Sequence, residues 1–121
     1  MQYRHEVKHE ISNLDMLILR QRLRAVMAPD SHAIDGQYEI RSLYFDNRDD
    51  KALREKLDGV SRREKYRIRM YNNDPSVIRL ERKFKCSGLG YKESSLLTQA
   101  QACQIAGGDI HWMAASTDEV I

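Results

Sequence analysis

Charged and apolar residues alternate with a period of two in four separate segments of this 121-residue chain, and no other pattern restricts the fold as much. Segment 63–71 sets Lys65, Arg67 and Arg69 against Tyr66, Ile68 and Met70. Segment 77–85 sets Arg79, Glu81, Lys83 and Lys85 against Ile78, Leu80, Arg82 and Phe84. Segment 3–11 carries Arg4, Glu6, Lys8 and Glu10 on one side and Tyr3, His5, Val7, His9 and Ile11 on the other, and segment 90–96 places Lys92 and Ser94 in phase. Period two is the signature of a strand with two unlike faces. "NNDPS" and "CSGLG", which separate the last three segments, are turn sequences, so neighbouring strands return as hairpins. The β-branched and aromatic stretch "QYEIRSLYFD" (37–46) adds a further strand. An antiparallel sheet follows, with charges on one face and apolar side chains on the other for helices to cover; the fold class is α+β.

Closed towards its charged side, such a sheet would surround a polar and mostly cationic interior, whereas ordinary small barrels fill theirs with apolar side chains. Arg62 to Lys85 contains nine basic and three acidic residues, a net +6 in a chain whose formal charge is +2. Two like charges about 8 Å apart repel by roughly 2 kcal/mol at an effective dielectric near ~20. Several such pairs rival a whole domain's stability of roughly 5–15 kcal/mol. Glu6, Glu10 and Glu81 relieve part of that repulsion, and a bound polyanion would relieve the rest. Arginine suits phosphate, because its planar fork takes two oxygens at once and stays charged. Carboxylates beside phosphates suit a hard cation, Mg²⁺ or Mn²⁺, rather than zinc.

Residues 5–9, "HEVKH", match the letters of the zinc-protease motif H-E-x-x-H. That motif works only on a helix, where histidines four apart share a face and the glutamate serves as general base. On a strand the two imidazoles lie about 13 Å apart, too far for one ion. Ser12 is a good N-cap, and Asp15 three residues later completes a capping box, so the helix begins after the motif. No third ligand follows at a recognisable spacing, and the zinc reading fails.

The helix from Ser12 extends to about residue 28, with Met16, Leu19, Leu23 and Met27 on one stripe, until Pro29 ends it. A short helix is expected from about Asp49, stopped by Gly59, and another from Thr98 to Gly107-Gly108. Residues 109–121 show no strong pattern. The length suits one small domain. No run approaches the roughly 20 apolar residues needed to cross a bilayer, and no signal-peptide pattern is evident. Cys86 and Cys103 have neither metal-ligand spacing nor a disulfide framework, which fits a reducing, cytoplasmic setting.

Five pieces, "YRHEVKHEI", "IRSLYFDN", "KYRIRMY", "LERKFK" and "GYKESSLLT", in that order, resemble the VTC domain of the vacuolar transporter chaperone family. That family of polyphosphate polymerases belongs to the triphosphate tunnel metalloenzymes. The resemblance spans about residues 3–108 and implies an antiparallel β-tunnel with helices outside, of which this chain supplies the N-terminal half, leaving 109–121 as a tail. It further implies transfer of the ATP γ-phosphate onto polyphosphate with Mn²⁺ or Mg²⁺. Carried over by motif, Lys8, Arg67, Arg69 and Lys83 clamp the phosphates in catalysis. Arg41, Lys65 and Lys92 add phosphate binding, and Glu6 and Glu81 are the expected metal ligands. The superfamily's opening Glu-x-Glu-x-Lys is here Arg4-His5-Glu6-Val7-Lys8, which favours VTC-like members over triphosphatases and cyclases.

The expected ligands are ATP, polyphosphate or another polyanionic phosphate. The alternatives are a module that holds polyphosphate, inositol phosphate or triphosphate without turnover, and a triphosphate hydrolase of the same superfamily. Nucleic acid is not expected, because stacking aromatics do not alternate regularly with the cations: Tyr66 is out of phase with Arg67 and Arg69, and Tyr71 sits at the strand end. A half-tunnel has exposed sheet edges, so an open sheet or a homodimer through those edges is expected. For a full-length protein the resemblance implies association with a membrane partner.

Overall fold

The computed structural model describes residues 2–116, which divide into two compact units: Glu6–Tyr38, and a larger one formed by the residues up to His5 together with those from Glu39 onward. The larger unit contains one five-stranded sheet. Its strands are β1 (Arg4–His5), β2 (Ile40–Phe45), β3 (Arg62–Tyr71), β4 (Asp74–Cys86) and β5 (Leu89–Leu97). Their spatial order is β1-β5-β4-β3-β2, every neighbouring pair is antiparallel, and the sheet is not closed into a barrel.

Two tight hairpins set the register. Asn72 and Asn73 both have positive φ (52° and 53°), as do Ser87 and Gly88 (49° and 83°). Consecutive left-handed residues turn the chain with a twist that matches the strands. The first turn joins Tyr71 directly to Asp74. β4 therefore starts three residues before the sequence predicts, and Pro75 falls in the register shift beside Met70 and Tyr71, where its missing N–H disturbs no ladder bond. The second hairpin explains why β1 has two residues rather than the expected nine. Arg4 pairs with Gly90 and His5 with Leu89. One step further, Glu6 would face the turn at Gly88, where no strand remains to pair with.

One sheet face is the core. Ile78, Leu80, Leu97 and Ile105 are buried together, with Phe45, Ile68, Ala102, Trp112 and Met113 packed against them. Each fully buried aliphatic side chain there contributes about 1.5–3 kcal/mol. Ile105 and Ala102 belong to α3 (Gln99–Ala106). This helix has its expected capping box: Thr98 Oγ1 accepts from Gln101 N at 3.2 Å, and Gln101 Oε1 accepts from Thr98 N at 3.0 Å. Trp112 and Met113 come from a 3₁₀ helix, His111–Ala115, in the segment where the sequence shows no pattern. The last five residues of that segment lie outside the described range.

Farther along the same face, β3, β4 and β5 are tied by charge. Arg82 donates to Glu64 Oε2 through Nε at 2.9 Å and to Glu93 Oε2 through Nη1 at 3.1 Å, and its Nη2 stands 2.7 Å from Glu64 Oε2. One guanidinium thus meets two carboxylates.

A seven-residue helix, α2 (Lys51–Leu57), lies against β3. It ends as expected at Gly59 (φ 68°), with Val60 N donating to Glu55 O at 3.0 Å. Its start is unusual, because Asp50 makes no side-chain cap. Asp46, just past β2, accepts instead from Ala52 N at 2.9 Å and Leu53 N at 3.1 Å. The amide of Ala52 above all holds the Asp46 carboxyl below its usual range.

In the Glu6–Tyr38 unit, α1 (Asn13–Arg24) carries the predicted cap: Ser12 Oγ accepts from Asp15 N at 3.1 Å, and Asp15 Oδ2 accepts from Ser12 N at 3.3 Å. The helix starts after "HEVKH", so that motif lies off any helix. Met16, Leu19, Leu23 and Met27 line one open cavity with Ile11 and Pro29. No described helix is long and apolar enough to cross a membrane.

Candidate functional site

The face opposite the core carries the charges, and strand register fixes which ones stand side by side. Lys65, Lys83 and Lys92 are direct neighbours across β3, β4 and β5. The next row is Tyr44, Arg67, Glu81 and Ser94, from β2 to β5. Beyond it come Ser42, Arg69, Arg79 and Leu96, and on the other side of the lysine row Arg63 faces Lys85. Adjacent strands are about 4.8 Å apart, so three lysines abreast repel one another across the ladder. Glu81 is the one carboxylate in these four rows.

Glu81 is only 1% exposed. Its Oε2 accepts from Arg67 Nε at 2.6 Å and lies 3.9 Å from Arg69 Nε, while its Oε1 accepts from Lys92 Nζ at 3.3 Å. Burial alone would raise its carboxyl, but the Arg67 hydrogen bond and the charges of Arg67, Lys92 and Arg69 outweigh it and hold the group below its usual range. Arg67 in turn donates through Nη1 to the Tyr44 hydroxyl at 2.9 Å. Two cations stand over the Tyr44 ring, with Lys65 Nζ 5.3 Å and Arg67 Cζ 5.8 Å from its centroid. Partial desolvation, reinforced by Lys83 and opposed by Tyr44, keeps the Lys65 ammonium below its usual value.

Two further nitrogens lack an acceptor. Arg69 Nε and Arg79 Nε are buried and meet no hydrogen-bond acceptor among the described residues. Buried donors normally have one. A phosphate oxygen is the acceptor type that guanidinium groups bind best.

Arg67, Arg69, Lys83, Lys65 and Lys92, expected from the sequence, therefore share one face. Arg41 does not: it pairs with Met70, in phase with Leu43 and Phe45, and so sits on the core side of β2. Lys8 and Glu6 belong to the other unit, where Lys8 Nζ pairs with Glu6 Oε1 at 3.6 Å and both are well exposed. Glu81 is central, but its oxygens are already engaged by Arg67 and Lys92. As arranged here, Glu81 orients those two cations. Among the described residues no three Asp, Glu, His or Cys side chains gather as a ligand set.

Tyr44 and Arg79 belong to the site and were not singled out by sequence. Arg79 carried a signal in its phase with Glu81 and Lys83. Tyr44 carried one in its alternation with Leu43 and Phe45, the core-facing residues of β2.

Comparison with curated proteins and with solved structures gives no match. The VTC domain family model, by contrast, matches residues 3–120, nearly the whole chain, so the protein belongs to the VTC domain family, whose theme is polyphosphate.

Proposed function

We propose that the cationic face binds a linear chain of phosphates and serves as one wall of a site that transfers the γ-phosphate of ATP to polyphosphate. The observation that carries this reading is the row of Lys65, Lys83 and Lys92 beside the Arg67–Glu81–Arg69 cluster. Like charges held in register repel one another, and a row of negative charges lying across them relieves that repulsion. Phosphoryl transfer asks little more of the protein than such alignment and neutralisation. A terminal oxygen of the acceptor chain attacks the γ-phosphorus, a new P–O bond forms, the bond to the β–γ bridging oxygen breaks, and ADP leaves with that electron pair. The attacking oxygen is already anionic, so no general base is needed. Buried Glu81 keeps Arg67 and Lys92 aimed while leaving the face strongly positive.

Mn²⁺ or Mg²⁺ belongs to this proposal as an ion that accompanies the nucleotide phosphates. The two thiols, Cys86 and Cys103, are unpaired and suit action in the cytoplasm.

A second reading, retention of polyphosphate without turnover, is favoured by the open sheet, in which β2 has only β3 beside it. Pairing of two copies along that edge is part of the same proposal, and gel filtration showing a monomer would count against it. Thermal melting with tripolyphosphate, with and without Mn²⁺, beside a single-stranded oligonucleotide tests binding. Stabilisation by tripolyphosphate alone is the expected result; stabilisation by the oligonucleotide instead would overturn both readings. Incubation with ATP and Mn²⁺ then separates them: release of ADP with growth of phosphate polymer marks transfer, and tight binding without ADP marks retention.

A further inference from the structure

We infer that Tyr44 is itself a phosphate-binding residue: its hydroxyl oxygen accepts from Arg67 and its hydroxyl proton is donated to a ligand oxygen on the cationic face. The inference rests on the binding reading above and extends it to a neutral side chain that charge does not mark.

Four observations carry it. Tyr44 stands directly opposite Arg67 in the β2–β3 ladder and so shares the cationic face. Arg67 Nη1 donates to its oxygen at 2.9 Å, which assigns the phenol the acceptor role in that bond and leaves its proton to donate elsewhere. The side chain is not core: the residue is 51% exposed, so a ligand can reach it. Its ring is held by Lys65 and Arg67, two of the groups that would bracket a phosphate at this place. A phenol polarised by a guanidinium is a strong donor to a phosphate oxygen, and it adds a directional bond where the lysines add only charge.

This arrangement has a pH signature. The groups facing Tyr44 are Lys65, Arg67 and Arg69 from β3, and Glu81 from β4 beyond Arg67. The Arg67 hydrogen bond, and then the nearby cationic charges, pull the phenol below its ordinary value of 10.0. As pH rises through that lowered value, the donor becomes an anion that repels phosphate.

The test is calorimetric binding of tripolyphosphate to the native chain, to Tyr44→Phe, and to Arg67→Ala/Arg69→Ala as a reference. Phenylalanine keeps the ring and its cation contacts. The expected loss in Tyr44→Phe is about tenfold, the worth of one hydrogen bond to a charged group. As pH rises through the lowered phenol value, native affinity should fall more steeply than that of Tyr44→Phe. On the native chain alone, tripolyphosphate should move one phenolate transition, followed by near-ultraviolet absorbance, to higher pH. If the arginine variant loses binding while Tyr44→Phe matches the native chain at every pH and no phenolate transition moves, the role of Tyr44 is overturned and the cationic face stands. If the native chain does not bind tripolyphosphate, both fall together.

Discussion

The two faces of the sheet solve opposite electrostatic problems with the same three strands. On the core side, Arg82 is met by Glu64 and Glu93, two carboxylates around one cation. On the other side, Glu81 is met by Arg67, Arg69 and Lys92, three cations around one carboxylate, with Lys65 and Lys83 in the adjoining row. Glu81 and Arg82 are consecutive in sequence, yet the first sits at the centre of an unbalanced cluster and the second in a satisfied one. The glutamates hold the Arg82 guanidinium more firmly protonated than usual, with the Glu64 bond as the main cause. Arg82 and its two carboxylates cross-link three strands, and the cation-rich side is the one proposed above to meet phosphate. Content of arginine and lysine would not separate the two.

That contrast makes the largest effect fall on binding when the unbalanced side is cut. Arg67→Ala/Arg69→Ala should weaken tripolyphosphate binding about 100-fold, from two charged contacts of about 1.5 kcal/mol each. Calorimetry reads it, and retention of native affinity would remove the distinction between the faces. Arg82→Ala should do the reverse, lowering the melting temperature by about 4 °C, roughly 1 kcal/mol for a domain of this size, while changing affinity less than about twofold.

Glu81→Gln probes the one carboxylate that both orients and neutralises. Its folded carboxyl titrates below the ordinary value of 4.5, so its contribution is full above that pH and is lost as pH falls through the lower folded value. Below pH 4.5 the native chain should therefore lose stability more steeply than Glu81→Gln, as followed by thermal melts across the acid range. The smallest effect belongs to Arg41→Ala, which should leave tripolyphosphate affinity within about twofold because that side chain stands on the core side. A loss as large as that of the double arginine variant would mean that charge acts on this sheet regardless of face.

Much of this was readable in the letters. Alternation in 63–71 and 77–85 fixed which residues share a side, and the Asn72–Asn73 and Ser87–Gly88 turns held the phase between strands, so Arg67, Arg69, Lys83, Lys65 and Lys92 fall together. Ser12, Thr98 and Gly59 marked helix ends through local chemistry that needs no tertiary knowledge. What failed was non-local. The alternation from Glu6 to Ile11 looks like a strand, but the β5 partner runs out at a turn. Arg41 was carried over by motif, although it shares its phase with Leu43 and Phe45 on the core side. Trp112 and Met113 cover the core from a 3₁₀ turn too short to show a period. Tyr44 was not singled out, because nothing local says that a guanidinium will stand opposite it.

The cap on α2 has a consequence for how this region comes apart. Seven residues are too few to persist as an isolated helix, and the first-turn amides of α2 lean on Asp46, a side chain borrowed from the end of β2. Detachment of β2 would take those supports away, so helix and edge strand should open as one cooperative segment, their amides exchanging with solvent at a common rate. Tyr44 lies inside that segment, so whatever steadies the phenol also steadies the helix.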